Sequence, residues 1–341
     1  MHVGISRDFL SSGGDNLIDP EALAALAAQP GLTTEFLDSP AMAPIVPDDL
    51  RRFDALLIKR NPVDASLFAA VPAPALRLRL IARNGVGYDH IAIDACQQAG
   101  VVVAITPDAV ARPVASSIMA LMLAFSHRLL PRDHAARAGR WSERWNQAGM
   151  ALTGRTLGVV GLGNIGCELL RLAEPWGMQH LAHTPRPDPA RHAGLRVSFV
   201  SLDALLRRSD VLALCCPLTA QTCRLIDAQA IARMPHHALL INTARGELVD
   251  EIALVDALRS GRIAGAGIDV YGTEPPDPSH PFLALDNVIL GSHNLAFTDE
   301  MNARSNRSAV QAICRMANGS RPAFVVNPGA LADPRHAGLR A

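Results

Sequence analysis

The chain has no net charge: its 32 acidic side chains balance its 32 basic ones over 341 residues. That balance excludes the electrostatic footprint of a nucleic-acid or anionic-membrane partner, and neither is expected. Aromatic residues make up only 4% of the chain, so its cores must be built from Ala, Leu, Val and Ile, as in an ordinary globular protein. The start, Met1 to Asp8, lacks the basic-then-apolar order of a secretory leader. The most apolar stretch, 114–125, contains Ser116 and Ser117, stops at His127-Arg128 and is too short for a bilayer span. A cytoplasmic protein is expected. Cysteines are present but unorganised. Cys96, Cys167, Cys215, Cys216, Cys223 and Cys314 form no C-x-x-C pair, which points to buried reduced thiols rather than a disulfide framework or zinc site. His180 and His183 are three apart in a strand-like run, an arrangement unsuited to a ligand pair, so no metal is expected.

What the chain has is alternation. Short runs, most of them apolar, read as strands at 3–6, 33–36, 55–58, 78–82 and 101–105, and again at 156–160, 179–183, 196–200, 211–215, 238–242, 264–269 and 288–290. Helical patterns stand between many of them: 20–28, the second half of 62–70, 113–130 with Pro113 in its first turn, 202–207 capped by Ser201, 227–233, and 250–260 closed by Gly261. The Pro-rich stretch 39–47 reads as a connector. The segment 131–150 reads as surface-lying, with Trp141 and Trp145 suited to a subunit contact. A chain of this length has room for two domains, and strands alternating with helices imply doubly wound parallel sheets, an α/β fold.

The run Thr156-Leu-Gly-Val-Val-Gly-Leu-Gly-Asn-Ile-Gly166 organises the middle of the chain. A strand leads into glycines spaced G-x-G-x-x-G, and a helical pattern follows. Gly161 permits the tight turn, and Gly163 leaves the backbone open to a pyrophosphate. Gly166 lets the helix lie close to the strand, so that its first amides, from Asn164 and Ile165 onward, face the phosphates. Dinucleotide binding is the reading this context favours. Ligands of such sheets lie beyond the carboxyl ends of the strands, and there the sequence collects Cys216-Pro217, Thr243-Ala244-Arg245-Gly246, Asp269, Glu274-Pro275 and His293. An Arg at a strand end can hold a carboxylate with both its forks, and a Glu with a His makes an acid/base pair. A second glycine loop, Gly85-Val86-Gly87, reads equally as a plain turn or as an anion cradle.

Taken together, Gly85-Val-Gly-Tyr-Asp, Gly161-Leu-Gly-Asn-Ile-Gly166, Pro217-Leu-Thr219, Asn242-Thr-Ala-Arg-Gly246, Asp269-Val-Tyr, Glu274-Pro275 and His293 resemble the D-isomer-specific 2-hydroxyacid dehydrogenases over nearly the whole chain. The resemblance implies two Rossmann-like domains, with the cofactor domain (105–295) inserted into a substrate domain made of 1–104 and the return at 296–331, followed by a tail at 332–341. It implies hydride exchange between a nicotinamide and C2 of a 2-oxo or 2-hydroxy acid. Arg245 would hold the substrate carboxylate, His293 would exchange the proton, and Glu274 would bond the other ring nitrogen and fix its tautomer. Asp269 would lie toward the nicotinamide, and Arg60 with Gly85, Val86 and Gly87 would meet the substrate. A homodimer is the expected assembly. Thr184 stands where NAD-binding relatives carry an acid, and Arg186 follows it, so NADP(H) is favoured over NAD(H), although Asp188 can reach back. Ser292 replaces a frequent Pro, and Ser116 replaces a frequent Glu. Rival readings are a nucleotide-sensing binding protein, or a phosphite or phosphoglycerate dehydrogenase with Lys59 and Arg60 taking the phosphate.

Overall fold

A computed structural model describes residues 1–146, 148–190 and 192–340; Gln147 of the surface-lying segment and Ala341 of the expected tail lie outside the described residues. The chain divides into two compact units, one formed by residues 1–110 with the stretch from Thr298 onward, the other by 111–297.

The first unit contains β1 (His2–Ile5), α1 (Pro20–Ala27), β2 (Thr33–Phe36), α2 (Pro47–Arg52), β3 (Ala55–Ile58), α3 (Ser66–Ala70), β4 (Leu80–Arg83), α4 (Ile93–Gln98) and β5 (Val102–Ala104). Its five strands are all parallel, in the order β2-β1-β3-β4-β5. Side chains alternate along each strand, so each run feeds two cores. Val3, Ile5, Leu57 and Leu80 pack on one face with Leu26, Val310 and Ile313, while Leu56, Ile58 and Ile81 pack on the other with Leu50, Phe53 and Leu67. A strand buried on both faces reads as a continuous apolar run, which is why β3 and β5 were legible, whereas β2 at the sheet edge is mostly exposed.

In the second unit, α5 (Pro107–Ser126) leads in and is followed by α6 (Leu129–Arg137), β6 (Thr156–Val160), α7 (Asn164–Ala173), β7 (Gln179–His183), β8 (Ser198–Phe199), α8 (Leu202–Arg208), β9 (Val211–Leu214), α9 (Ala228–Arg233), β10 (Leu239–Asn242), α10 (Glu251–Arg259), β11 (Gly265–Ile268) and β12 (Val288–Leu290). The seven parallel strands run β12-β11-β10-β9-β6-β7-β8. Their order reverses at β6, where β7 lies on one side and β9 on the other, and that is the crevice at which doubly wound sheets bind ligands. Leu157, Val159, Ala213 and Ile241 meet Ile118, Met122 and Leu169 on one face, while Leu212, Leu240 and Ile268 meet Leu205, Ile231 and Leu254 on the other. The expected α/β class, doubly wound in both units, is borne out. Finally α11 (Asp299–Ala317) returns to the first unit.

Several expectations need correction. The helix read as 113–130 begins six residues earlier at Pro107 and ends at Ser126. Pro107 supplies the first-turn proline, while Pro113 lies inside the helix. Arg128, at φ +51, separates α5 from α6. At twenty residues α5 is long and apolar enough to cross a bilayer on those criteria alone, yet Ala115, Ile118, Leu121 and Met122 are buried in the core. The connector ending at Pro47 gives way to a helix that Pro47 itself starts, with Asp49 accepting the Val46 N–H at 3.0 Å. The stretch expected as a tail packs on the first unit: His336 is buried with Nε2 2.8 Å from the Gly100 carbonyl, and Arg335 reaches the carbonyls of Leu76 and Leu78.

Candidate active site

The glycine turn follows β6 at the reversal of strand order. Gly161 has φ +92, a conformation L side chains rarely adopt, and a Cβ there would lie 2.8 Å from the Cys216 backbone. The turn and the end of β9 therefore touch backbone to backbone. At Gly166 a Cβ would meet the Gly161 carbonyl oxygen at 2.4 Å, so only glycine lets α7 start so close to the strand. Gly163 differs: it is the N-cap of α7, has nothing within 4 Å of an ideal Cβ, and caps the helix with no side chain. Uncapped helix amides facing open space are what a pyrophosphate requires, so these residues fit a dinucleotide. The turn is also tied to β7, because the Gly161 N–H donates to the His183 carbonyl at 2.8 Å. Thr184, half-buried, and Arg186, exposed, come next in the chain. Sequence reasoning missed His192, a buried imidazole whose ring nitrogens lie 2.6 Å from the Asp188 carbonyl and 3.2 Å from that of Leu162. It fastens the stretch after β7 to the glycine turn.

At the far side of the same sheet, the ends of β10, β11 and β12 carry the polar cluster. Asn242 closes β10; its side-chain N–H donates to the Arg245 carbonyl at 2.7 Å and its Oδ1 accepts the Ala244 N–H at 3.1 Å, which bends the chain so that Arg245 leaves the strand end. The Thr243 hydroxyl is buried with no hydrogen-bond partner among the described residues. Gly246 is pressed against the loop after β11, for a Cβ there would stand 2.0 Å from the Tyr271 carbonyl carbon. Arg245 and Glu274 are thus held on touching loops. The Tyr271 N–H donates to Glu274 Oε1 at 3.1 Å, and the Gly272 N–H to Glu251 at 2.9 Å.

His293 follows β12 in the left-handed region, at φ +56. Its Nδ1 lies 2.9 Å from both Glu274 oxygens. Asp269, at the end of β11, sets the loop that presents it. The Asp269 carbonyl accepts the His293 N–H at 2.7 Å, and its carboxylate accepts the N–H groups of Asn294 and Leu295 at 3.1 and 3.3 Å. Burial pushes the Asp269 carboxyl above its usual range, and those two amides work in the opposite direction. Tyr271 completes the support: burial, with the Asp269, Glu274 and Glu251 carboxylates behind it, pushes its hydroxyl up, and that hydroxyl donates to the Gly291 carbonyl at 2.8 Å. The structure therefore brings Arg245, Asp269, Glu274 and His293 together within one unit. Arg60, Gly85, Val86 and Gly87 belong to the other unit, at the ends of β3 and β4. There Gly85, at φ +126, donates its N–H to the Thr106 hydroxyl at 2.8 Å, so any anion reading of that loop rests on Val86 and Gly87.

A doubly wound sheet with an uncapped glycine turn at its reversal, and an Arg, Glu and His at its strand ends, defines a nicotinamide-dinucleotide oxidoreductase. Residues 119–294 match the family model described as D-isomer specific 2-hydroxyacid dehydrogenase, NAD binding domain. The chain is 34% identical over 296 residues to the glyoxylate reductase of Korarchaeum cryptofilum, a match covering 85% of this chain and 87% of that one. Among solved structures, the NADPH-dependent glyoxylate/hydroxypyruvate reductase of Sinorhizobium meliloti in complex with NADP and malonate is similar with a TM-score of 0.80 at 28% identity, covering 96% of this chain and 97% of that chain. The D-lactate dehydrogenase of Aquifex aeolicus complexed with NAD and lactic acid gives 0.80 at 26% identity, covering 93% and 96%. The chain belongs to the D-isomer-specific 2-hydroxyacid dehydrogenase family. It is an NAD(P)-dependent oxidoreductase acting between 2-oxo and 2-hydroxy acids.

Proposed function

We propose that the protein is a 2-oxo acid reductase in which His293 is the acid/base, Glu274 its orienting partner and Arg245 the substrate anchor. The observation that carries this is the contact of His293 Nδ1 with both Glu274 oxygens at 2.9 Å. A reduced nicotinamide, when bound, supplies the hydride to C2 of the oxo acid. Arg245 pairs with the substrate carboxylate and draws charge toward the carbonyl. Protonated His293 gives the Nε2 proton to the carbonyl oxygen as the alkoxide develops, leaving a neutral ring whose Nδ1–H stays on Glu274. Asp269 works through the loop it holds, fixing Asn294 and Leu295 so that His293 keeps its place. Gly161, Gly163, Asn164, Ile165 and Gly166 would hold the pyrophosphate, and Cys216, Pro217, Thr243 and Ala244 would be further contacts of the dinucleotide. The unit formed by 1–110 and the C-terminal return is read as the substrate domain, with Arg60, Val86 and Gly87 facing the substrate.

The absence of an acid at Thr184, followed by Arg186, supports NADP(H) over NAD(H). Trp141 and Trp145 are 70% and 82% exposed, and Leu129 and Leu130 are also exposed; this apolar surface supports a homodimer through the cofactor-binding unit. A cytoplasmic location accords with the balanced charge. The test is to follow NADPH and NADH oxidation in parallel with a panel of 2-oxo acids, using wild type, His293→Ala and Arg245→Ala. Loss of the general acid should lower turnover roughly 100- to 10,000-fold, with cofactor affinity nearly intact in both variants. Wild-type turnover in either variant would refute the assignment, and faster oxidation of NADH would refute the cofactor preference alone.

A further inference from the structure

The loop that presents His293 continues through Asn294, Leu295, Ala296 and Phe297. Its backbone is held at three of its four residues. Asn294 and Leu295 donate to the Asp269 carboxylate, and the Phe297 N–H turns back onto the Asn294 carbonyl at 2.8 Å. Leu295 is seated over Gly291, where a Cβ would lie 2.7 Å from its Cγ. On this tethered loop Leu295 is 37% and Phe297 54% exposed. Two large apolar side chains thus stand on a tethered backbone, only partly covered, within four residues of the acid/base. Between residues 294 and 297 the chain offers no cationic side chain, so no charge on this loop pairs with a second anionic group on the substrate, and Arg60 is left as the cation that a phosphorylated acid would call on. Lys59, the sole lysine of the chain, donates to the Asp8 carbonyl at 3.0 Å and stands 4.6 Å over the Phe9 ring, and burial pushes its amine down. That commitment within its own unit weakens the case for it as a phosphate ligand.

We infer that Leu295 and Phe297 are specificity-determining residues that grip the C3 substituent of the substrate, and that the substrates are 2-oxo acids bearing an aryl or branched-alkyl group. The inference rests on the reductase reading above: the carboxylate goes to Arg245 and the carbonyl to His293, which leaves the remaining substituent of C2 to meet the adjoining loop. An apolar wall favours substrates whose own apolar surface leaves water on binding, and it gives nothing to glyoxylate, which has no such group.

The experiment compares kcat/KM for phenylpyruvate, 4-methyl-2-oxopentanoate, glyoxylate and 3-phosphohydroxypyruvate with saturating NADPH or NADH. The wild type should favour the first two over glyoxylate by about tenfold or more, the scale at which apolar pockets discriminate. Phe297→Ala and Leu295→Ala should each lower the phenylpyruvate-to-glyoxylate ratio about tenfold, chiefly through KM, and Phe297→Leu should restore part of it. Unchanged ratios in both alanine variants, or a wild-type preference for glyoxylate or the phosphorylated acid, would overturn the inference and leave the reductase reading standing. A folded wild type that binds cofactor yet reduces none of the four would overturn that reading, and the inference with it.

Discussion

Replacing Gly246 with alanine tests whether the site works by holding two loops in register. Gly246 is not in the left-handed region, so alanine meets no backbone penalty there, and only contact decides the outcome. An ideal Cβ would lie 2.0 Å from the Tyr271 carbonyl carbon and 2.3 Å from both the Gly272 nitrogen and the Tyr271 oxygen, whereas ordinary contact begins at 3.4 Å. All three atoms are backbone, so no rotamer change relieves the overlap, and the loops must part by about 1.4 Å (3.4 minus 2.0). One loop carries Arg245 and the other carries Glu274 with the His293 contact. A misplacement of about 1 Å costs roughly 100-fold in rate, and overpacking costs about 1–3 kcal/mol in stability. For a unit of this size each kcal/mol lowers Tm by roughly 2–4 °C. The assay is steady-state cofactor oxidation, with Tm from circular dichroism and cofactor affinity from fluorescence. A kcat/KM about 100-fold down, with a cofactor Kd within about threefold, is expected from these magnitudes. Activity within twofold of wild type would show that the loops tolerate separation, and the geometric account of the site would fail.

A Cβ on Gly163 meets nothing within 4 Å, so Gly163→Ala should lower Tm only by the few degrees that loss of a favourable N-cap residue costs, while weakening cofactor binding about tenfold because the new methyl occupies the space in front of α7; an unchanged Kd would remove the turn from the cofactor site. Asp19 caps α1 and takes two bonds from Arg307 at 2.8 and 3.1 Å, and that hydrogen bonding holds its carboxyl below the usual range. A lowered folded-state pKa gives stability that is present above the unfolded value near 3.8 and lost as pH falls through the folded one. The Tm gap between wild type and Asp19→Asn should therefore be widest at neutral pH and shrink as pH falls below about 4; a gap that stays constant for as far down in pH as the protein remains folded would contradict this. Trp145→Glu places a charge in the exposed apolar segment and should shift the protein toward monomer in sedimentation; an unshifted dimer would locate the interface elsewhere.

Much of the fold was legible because strands buried on both faces, such as β3 and β6, are continuous apolar runs; β2, β3, β6, β7 and β12 begin and end where the sequence places them, although β2 is a mostly exposed edge strand. Prolines misled in two places, since Pro107 rather than Pro113 opens α5 and Pro47 starts a helix instead of closing a connector. A proline marks a first turn only when the residues before it do not already form one, and that depends on tertiary packing. In the site, the identities of Arg245, Glu274 and His293 could be picked out by type and place. Their support could not. The need for glycine at 246 comes from the backbone of residues 271 and 272, the role of Asp269 from amides 25 and 26 positions further on, and the His192 fastening from a carbonyl 30 residues earlier. Such long-range partners leave no local periodicity.

The left-handed backbone of His293 carries a consequence for how this protein can change over generations. A histidine at φ +56 pays about 1–2 kcal/mol that glycine would not, and asparagine tolerates the same conformation well. A lineage released from the demand for turnover would drift toward Asn or Gly at this position and become more stable as it lost chemistry. Stability-guided engineering would be drawn to the same exchange. An imidazole at a place the backbone itself disfavours is what the proposed proton transfer would demand, and exchange for Asn or Gly would separate stability from turnover.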